Sequence, residues 1–593
     1  MKFDLKLTGT WRVVAVLSAA LALAGCSHLN ASYNDALPVP AATAASGSTP
    51  NVAPNVALNA TPPTRARLHV DGQRGHPKAL VFLSLSGGGS RSAYLSAQVM
   101  SRLRQIDPEF DLMAEVDAIS SVSGGSLAGA YYASTRDEQL LAPALVAALQ
   151  SAQLLQPPLQ ASAGGALRCN SADGVPPLPE ALWREALGAH ATARLTQLCR
   201  QAGMTALRTW EDGDAQRRMR RNYMLRWVAN GLWPVNIAKY WFTAYDRSDL
   251  MAQTLEDNLF DTSVLGRPLR LGELNPQRPF LVINATTASE QPLPDGQGVY
   301  PFGSVFTFTD EDFRVRLGSD IGSYSLARAV MASSAFPLVF ANMSLRDHRS
   351  AEPQYLHVFD GGNSDNLGLR SVKRMLLELA ISGGLNGIDR IVVLQVDAYG
   401  QPRGVSPRRA DPRGVMGRFV DDNALDAVDA LLQNNRQALL TEFDRAILHT
   451  DGRDCEEEAR HLPPTVCNSA RRAIGGTALD LSQRLVFYHL GFQDAAQQMQ
   501  REGTAPGEVA RFKRALDAIP TSFSLEPEDA ELIDRAADLV VRAGNPCLGG
   551  IKALLTSDLD VPSAVRAARR ACQGEEGAHG RDRKQAQVDV SPL

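Results

Sequence analysis

Three short segments hold residue types able to carry out hydrolysis through a nucleophile: Ser121-Val122-Ser123-Gly124-Gly125, Ser86-Gly87-Gly88-Gly89-Ser90-Arg91 and Phe359-Asp360-Gly361-Gly362-Asn363. Such chemistry needs an activated hydroxyl, a base within hydrogen-bond reach and donors aimed at the developing oxyanion. Ser123 is the candidate hydroxyl, raised on a small-residue turn where glycines let the backbone double back. Ser126 is a competitor, but its position suits a helix cap. Gly87, Gly88 and Gly89 can aim backbone N–H groups at an anion, and Arg91 adds a fixed positive charge. Asp360 is a carboxylate at the C-terminal end of a strand, where open α/β sheets hold their ligands. Taken singly, each segment also reads as an ordinary glycine turn.

The elements around these segments decide whether they can meet. Ala79–Ser86 is an apolar run that reads as a buried strand, and Ser90–Arg104 shows helical spacing. A second strand, Val116–Val122, passes into a helix beginning at Ser126. Strand, glycine turn and helix, twice within about fifty residues, predict an α/β fold with a largely parallel sheet. Strand character returns at Pro279–Asn284, Val305–Phe308, Tyr355–Phe359, Ile391–Val396 and Leu485–Leu490. Helical periods run from Asn423 to Leu448 and through a closing helix, Glu528–Arg542.

In this order, the three segments resemble the patatin-like phospholipase family. That family carries a glycine-rich oxyanion motif ending in Arg or Lys, then G-x-S-x-G, then Asp-Gly-Gly or Asp-Gly-Ala. Here these are Gly87-Gly88-Gly89-Ser90-Arg91, Ser123 with Gly125, and Asp360-Gly361-Gly362. Asn284-Ala285-Thr286, the stretch Ala329 to Pro337 and Ile519-Pro520-Thr521 extend the likeness, from about residue 78 to 545. The resemblance implies a three-layer α/β/α patatin-like fold with a largely parallel central sheet and a helical insertion. It also implies acyl-ester hydrolysis by a Ser123–Asp360 dyad, with the amides of Gly88 and Gly89, helped by Arg91, holding the oxyanion. One departure stands out: Ser121 occupies the place of the first glycine of G-x-S-x-G. A triad remains open, and His489 is its best candidate; His357, three residues before Asp360 on a strand, points to the opposite face.

The chain has 593 residues, 44% of them hydrophobic and 21% charged, which is ordinary globular composition. Its net charge of −4 offers nothing to nucleic acid. Met1–Arg12 is basic, and Val13–Ala24 is apolar but too short to span a bilayer. Leu23-Ala24-Gly25-Cys26 reads as a lipobox, so residues 1–25 are expected to be a signal peptide and Cys26 a lipid-bearing N-terminus. Residues 26–66 then read as a flexible tether, 67–545 as the hydrolase domain with a helical insertion at about 140–260, and 546–593 as a partly disordered extension. These features imply a periplasm-facing, lipid-anchored envelope protein, with Ser27 favouring the outer membrane. Six further cysteines fall into sequence-local couples, 169–199, 455–467 and 547–572, expected as disulfides.

Arg217-Arg218-Met219-Arg220-Arg221, followed by Trp227, Trp233, Tyr240, Trp241 and Phe242, has two readings. It could seat the protein on anionic headgroups or cover the acyl pocket. The sequence favours the other reading, a hairpin with its aromatics packed inward and its arginines in water. No metal, cofactor or protein partner is implied, and the expected partner is membrane phospholipid or another acyl ester. A catalytically silent lipid-binding envelope protein that retains the fold is the alternative function.

Overall fold

A computed structural model describes residues 32–37, 78–107, 110–136, 210–260, 267–275, 278–292, 299–337, 339–400, 436–449, 476, 478–556 and 560–573, with the backbone of Leu155–Gln156 and Ala166–Leu167. The expected signal segment 1–25, Cys26, the expected cysteine couples 169–199 and 455–467, and the tail after 573 lie outside the described residues.

The described chain opens on a short strand, β1 (Asp35–Ala36), followed later by β2 (Ala79–Leu85), α1 (Gly89–Arg104), β3 (Ala118–Val122) and α2 (Gly124–Ala133). Four short helices come next: α3 (Asp212–Met219), α4 (Tyr223–Gly231), α5 (Pro234–Phe242) and α6 (Arg247–Leu255). The chain continues through β4 (Phe280–Thr287), β5 (Val305–Phe308), α7 (Asp310–Leu317), β6 (Ser319–Asp320), α8 (Leu326–Ser333), β7 (Met343–Asp347) and β8 (Gln354–Asp360). It ends through α9 (Leu369–Ile381), β9 (Arg390–Asp397), β10 (Leu485–Gly491), α10 (Phe492–Arg501), α11 (Pro506–Asp517), α12 (Pro527–Val540), α13 (Pro546–Thr556) and α14 (Val561–Gln573).

The main sheet has the order β7-β8-β4-β3-β2-β9-β10, with β5 also on β4. From β4 to β10 all pairings are parallel, while β5, β7 and β8 pair antiparallel at one side. Both faces are covered, as parallel strands require. Val81, Leu83 and Leu85 of β2 join one apolar cluster with α1, α2, α8 and α12, whereas Leu80 and Phe82 join a second with α9. This period-two division makes the fold three-layered, helix on sheet on helix. The chain leaves β2 toward β3 and β4 on one side and returns to β9 and β10 on the other. The crevice beyond the C-terminal ends of β2, β3 and β9 is therefore the topological switch point, the place such sheets offer to ligands.

Several boundaries differ from the sequence reading. The helix after β3 starts at Gly124, so Ser123 is its N-cap and Ser126 lies inside its first turn. The helix expected to reach Leu448 stops at 445; Ala446 has a positive φ of 57°, and Ile447–His449 pairs as a strand with Ala478–Asp480. Helix α12 does not close the fold, because α13 and α14 follow, bury Leu548, Ile551 and Val565, and are joined by the Cys547–Cys572 disulfide. The expected tether is interrupted at 32–37. There β1 pairs with β6, and buried Asn34 exchanges hydrogen bonds with Arg346 and donates to Ser319. Among the described residues no helix is long and apolar enough to cross a membrane.

The α4–α5 hairpin reverses the favoured reading. Arg218 is buried, drawn in by Asp214 at 2.6 Å and by the carbonyls of Asn258 and Leu259. Trp233, Trp241 and Phe242 face outward, and only Trp227 of the five aromatics packs against the core. A buried guanidinium is tolerated where carboxylate and carbonyl acceptors satisfy it, and Asp214 supplies the carboxylate here.

Candidate functional site

Ser123 sits on the turn between β3 and α2 with φ 48° and ψ −118°, a left-handed conformation that non-glycine residues rarely adopt. The strain is held by its surroundings. The Ser123 amide donates to Ser333 Oγ at 2.8 Å, and Ser333 Oγ donates to the Asn284 carbonyl at 2.6 Å. Asn284 Nδ2 in turn donates to Ser120 Oγ and to the Ser121 carbonyl. The serine that replaces glycine at 121 fits this floor, because its hydroxyl donates to the Val282 carbonyl and accepts from Ser126.

Asp360 ends β8, and its Oδ2 accepts the Ser123 hydroxyl at 2.9 Å. Its Oδ1 accepts the Gly362 amide at 2.8 Å, which fixes the carboxylate plane. The Asp360 amide reaches the Ala335 carbonyl, and Thr286 Oγ1 donates to the Asp360 carbonyl at 2.7 Å. Burial pushes the Asp360 carboxyl up to about 6, against the lowering effect of the Gly362 amide and the Ser123 hydroxyl. A carboxylate in that range is ionised at neutral pH and still basic enough to take a proton.

The glycine turn lies directly over Ser123. A Cβ on Gly124 would run into the Gly89 carbonyl oxygen, so the two turns approach at backbone contact. Gly88 and Gly89 have φ of 137° and 60°. As N-cap and first residue of α1 they have no i−4 carbonyl for their N–H groups. Gly87 differs, because its amide is taken by the Asn366 carbonyl at 2.9 Å, so it shapes the turn rather than offering a donor. Arg91, beside the same turn, holds a neighbouring loop. Its guanidinium donates to the Ile519 carbonyl at 2.5 Å and to Thr521 Oγ1 at 3.3 Å, and Ser90 N donates to the Ser522 carbonyl. The charge therefore ties loop 519–522 against the glycine turn.

Neither histidine joins the pair. His357 Nδ1 contacts Ser344 Oγ at 2.9 Å, and burial lowers its pKa. His489 has both ring nitrogens engaged, Nδ1 with Asp494 at 2.5 Å and Nε2 with Asp397 at 3.1 Å. Burial opposes its charge, but the two carboxylates outweigh it and hold the imidazolium up to about 10. A histidine charged at neutral pH cannot accept a proton there. Among the described residues no group of three or more His, Cys, Asp or Glu could hold a metal ion.

Sequence reasoning marked Asn284, Thr286 and the 329–337 stretch only as likenesses; their work is the hydrogen-bonded floor. Asn366 went unmarked, although its carbonyl accepts the Gly87 amide and its side chain lies against Gly87 and Gly362. Nothing in its spacing distinguishes it from a turn residue.

A patatin-like phospholipase family model matches residues 83–373, which include all three motifs. Solved structures that match part of this chain include human GIVD cytosolic phospholipase A2 and VipD from Legionella pneumophila. The first is 12% identical with a TM-score of 0.33, over 86% of this chain and 63% of that one. The second is 12% identical with a TM-score of 0.25, over 79% and 66%. The chain thus spans less than two thirds of the length of each. No curated protein matches in sequence. Residues 83–373, with the mainly parallel sheet that carries them, thus form a patatin-like phospholipase domain, and that family is one of lipid acyl hydrolases.

Proposed function

We propose that this protein cleaves fatty acyl esters of membrane lipids, as a phospholipase A or lysophospholipase, using Ser123 as nucleophile and Asp360 as base. The observation that carries the reading is the 2.9 Å hydrogen bond from Ser123 Oγ to Asp360 Oδ2, on a serine held at φ 48° beneath the Gly88–Gly89 turn. In the first half-reaction Ser123 Oγ attacks the acyl carbon and its proton passes to Asp360. The carbonyl oxygen becomes an oxyanion, which the Gly88 and Gly89 amides receive. Collapse breaks the ester C–O bond, and the leaving alcohol takes the proton from Asp360. Water then attacks the acyl-serine, gives its proton to Asp360, and releases the fatty acid as Ser123 is reprotonated. Arg91 acts as a positioning residue through loop 519–522. We further propose that Cys26 carries a lipid anchor that keeps the enzyme beside its substrate at the periplasmic face of the envelope, at the outer membrane.

The test is release of fatty acid from a phospholipid and from a short-chain ester. Ser123→Ala and Asp360→Asn are each expected to lower turnover by about a thousandfold or more, and His489→Ala by less than about tenfold. A protein inert on every acyl ester that still binds vesicles would instead be the silent lipid-binding form of the fold.

A further inference from the structure

Helices α4 and α5 present an unusual outer face. Phe242 is 85% exposed, Leu232 71%, Leu225 67% and Trp233 64%, with Val228, Val235, Ile237 and Trp241 also exposed. Exposed apolar side chains scattered singly are normal; eight of them on two consecutive short helices and the turn between form a contact surface.

The charge around that face indicates what it contacts. Residues 217–245 contain five arginines and a lysine, and no Asp or Glu, in a chain whose net charge is −4. Arg217, Arg220, Arg226 and Lys239 are exposed. Tryptophan, phenylalanine and leucine bordered by basic residues match an anionic lipid–water interface, where the rings enter the headgroup layer and the cations meet phosphate.

The hairpin is also joined to the candidate site. Trp227, on its inner side, packs edge-on against Phe340, and Phe340 packs edge-on against Phe523. The Tyr223 amide donates to the Phe523 carbonyl at 3.0 Å. The neighbouring Ser522 carbonyl accepts the Ser90 amide beside Gly89. Phe336, also exposed, follows Ala335, whose carbonyl accepts the Asp360 amide. The apolar face is therefore continuous with the loops that shape the site.

We propose that the α4–α5 hairpin is a membrane-docking surface that inserts Leu232, Trp233, Trp241 and Phe242 into a bilayer containing anionic lipid and so sets the mouth of the site at the lipid surface. The proposal rests on the reading of that site as a lipid acyl hydrolase, and the measurements below separate the two.

Full-length protein carrying Cys26→Ser, so that no acyl group is attached there, is mixed with phosphatidylglycerol–phosphatidylcholine vesicles bearing brominated chains. Tryptophan fluorescence is read together with fatty acid release from the vesicles and from a monomeric short-chain ester. Anionic brominated vesicles should quench the fluorescence. Leu232→Ser with Phe242→Ser should remove most of that quenching and slow vesicle turnover about tenfold or more, with monomeric turnover changed less than about twofold. Trp241→Phe, which keeps the face apolar, should reduce the quenched fraction without slowing vesicle turnover. Unchanged quenching and vesicle turnover in the double variant overturn the proposal. So does an equal fall on both substrates, which marks a lid over the acyl pocket. Concentration-dependent self-association that the double variant abolishes, with no quenching, overturns it in favour of a second copy of the chain. If neither substrate is hydrolysed, the hydrolase reading fails and the quenching alone decides the docking.

Discussion

Asp360 pairs a chemical advantage with a cost to stability. Burial raises its pKa to about 6, so the base is ionised only above that value. Turnover of a monomeric ester should therefore rise with pH through about 6 and level off above it, as a pH profile of kcat/KM would show. Stability runs the other way. The folded carboxyl binds its proton more tightly than the unfolded one, so this group favours the fold most below about pH 4 and that contribution is lost as pH rises through 6. Asp360→Asn should accordingly raise the thermal midpoint at pH 8, by up to about 3 kcal/mol of stability for a two-unit shift, and leave it nearly unchanged at pH 4. The residues of the pair were legible because each stands in a short motif at a strand end. The task of Arg91 was not: its acceptor, the Ile519 carbonyl, lies 428 positions away, and no local spacing records such a bond. Ser121 was legible only as a departure, and the structure supplies its reason in the Val282 carbonyl and the Ser126 hydroxyl.

At the scale of elements, the site depends on two turns at backbone contact, Gly87–Gly89 after β2 and Ser123–Gly124 after β3. Gly124→Ala would drive its Cβ into the Gly89 carbonyl oxygen, and one turn would have to move. Turnover should fall by about a hundredfold, while circular dichroism and the thermal midpoint show the fold retained. Strands β2, β3, β4 and β9 were readable as apolar runs, since strands buried on both faces carry little else. The outward face of α4 and α5 was not readable. Helical periodicity marks an apolar stripe without saying whether core or lipid covers it. The buried position of Arg218 depends on Asp214 and on carbonyls 40 and 41 residues away.

At the scale of the molecule, the C-terminal helices belong to the folded body. Cys547–Cys572 closes a loop with a sequence separation of 25 between α13 and α14. Replacing both cysteines by serine should cost about 3 kcal/mol in urea unfolding, chiefly by freeing the unfolded chain. This extent was half legible: the couple was readable from cysteine spacing, but the two short helices it joins were read as an extension. The strand at 32–37 has a wider consequence. Arg328 lies 3.4 Å from the Tyr33 ring centroid and pairs with Asp249 of α6, the helix directly after the exposed hairpin. If Cys26 carries the proposed acyl group, only six residues separate it from Tyr33, a leash of about 24 Å at full stretch over the seven Cα–Cα steps. The body could not then wander away from the bilayer and return. It would be moored at two points, with one face turned down, and would meet its substrate by gliding in two dimensions. Its rate would follow the number of lipids per unit area beneath it rather than any concentration in the surrounding fluid.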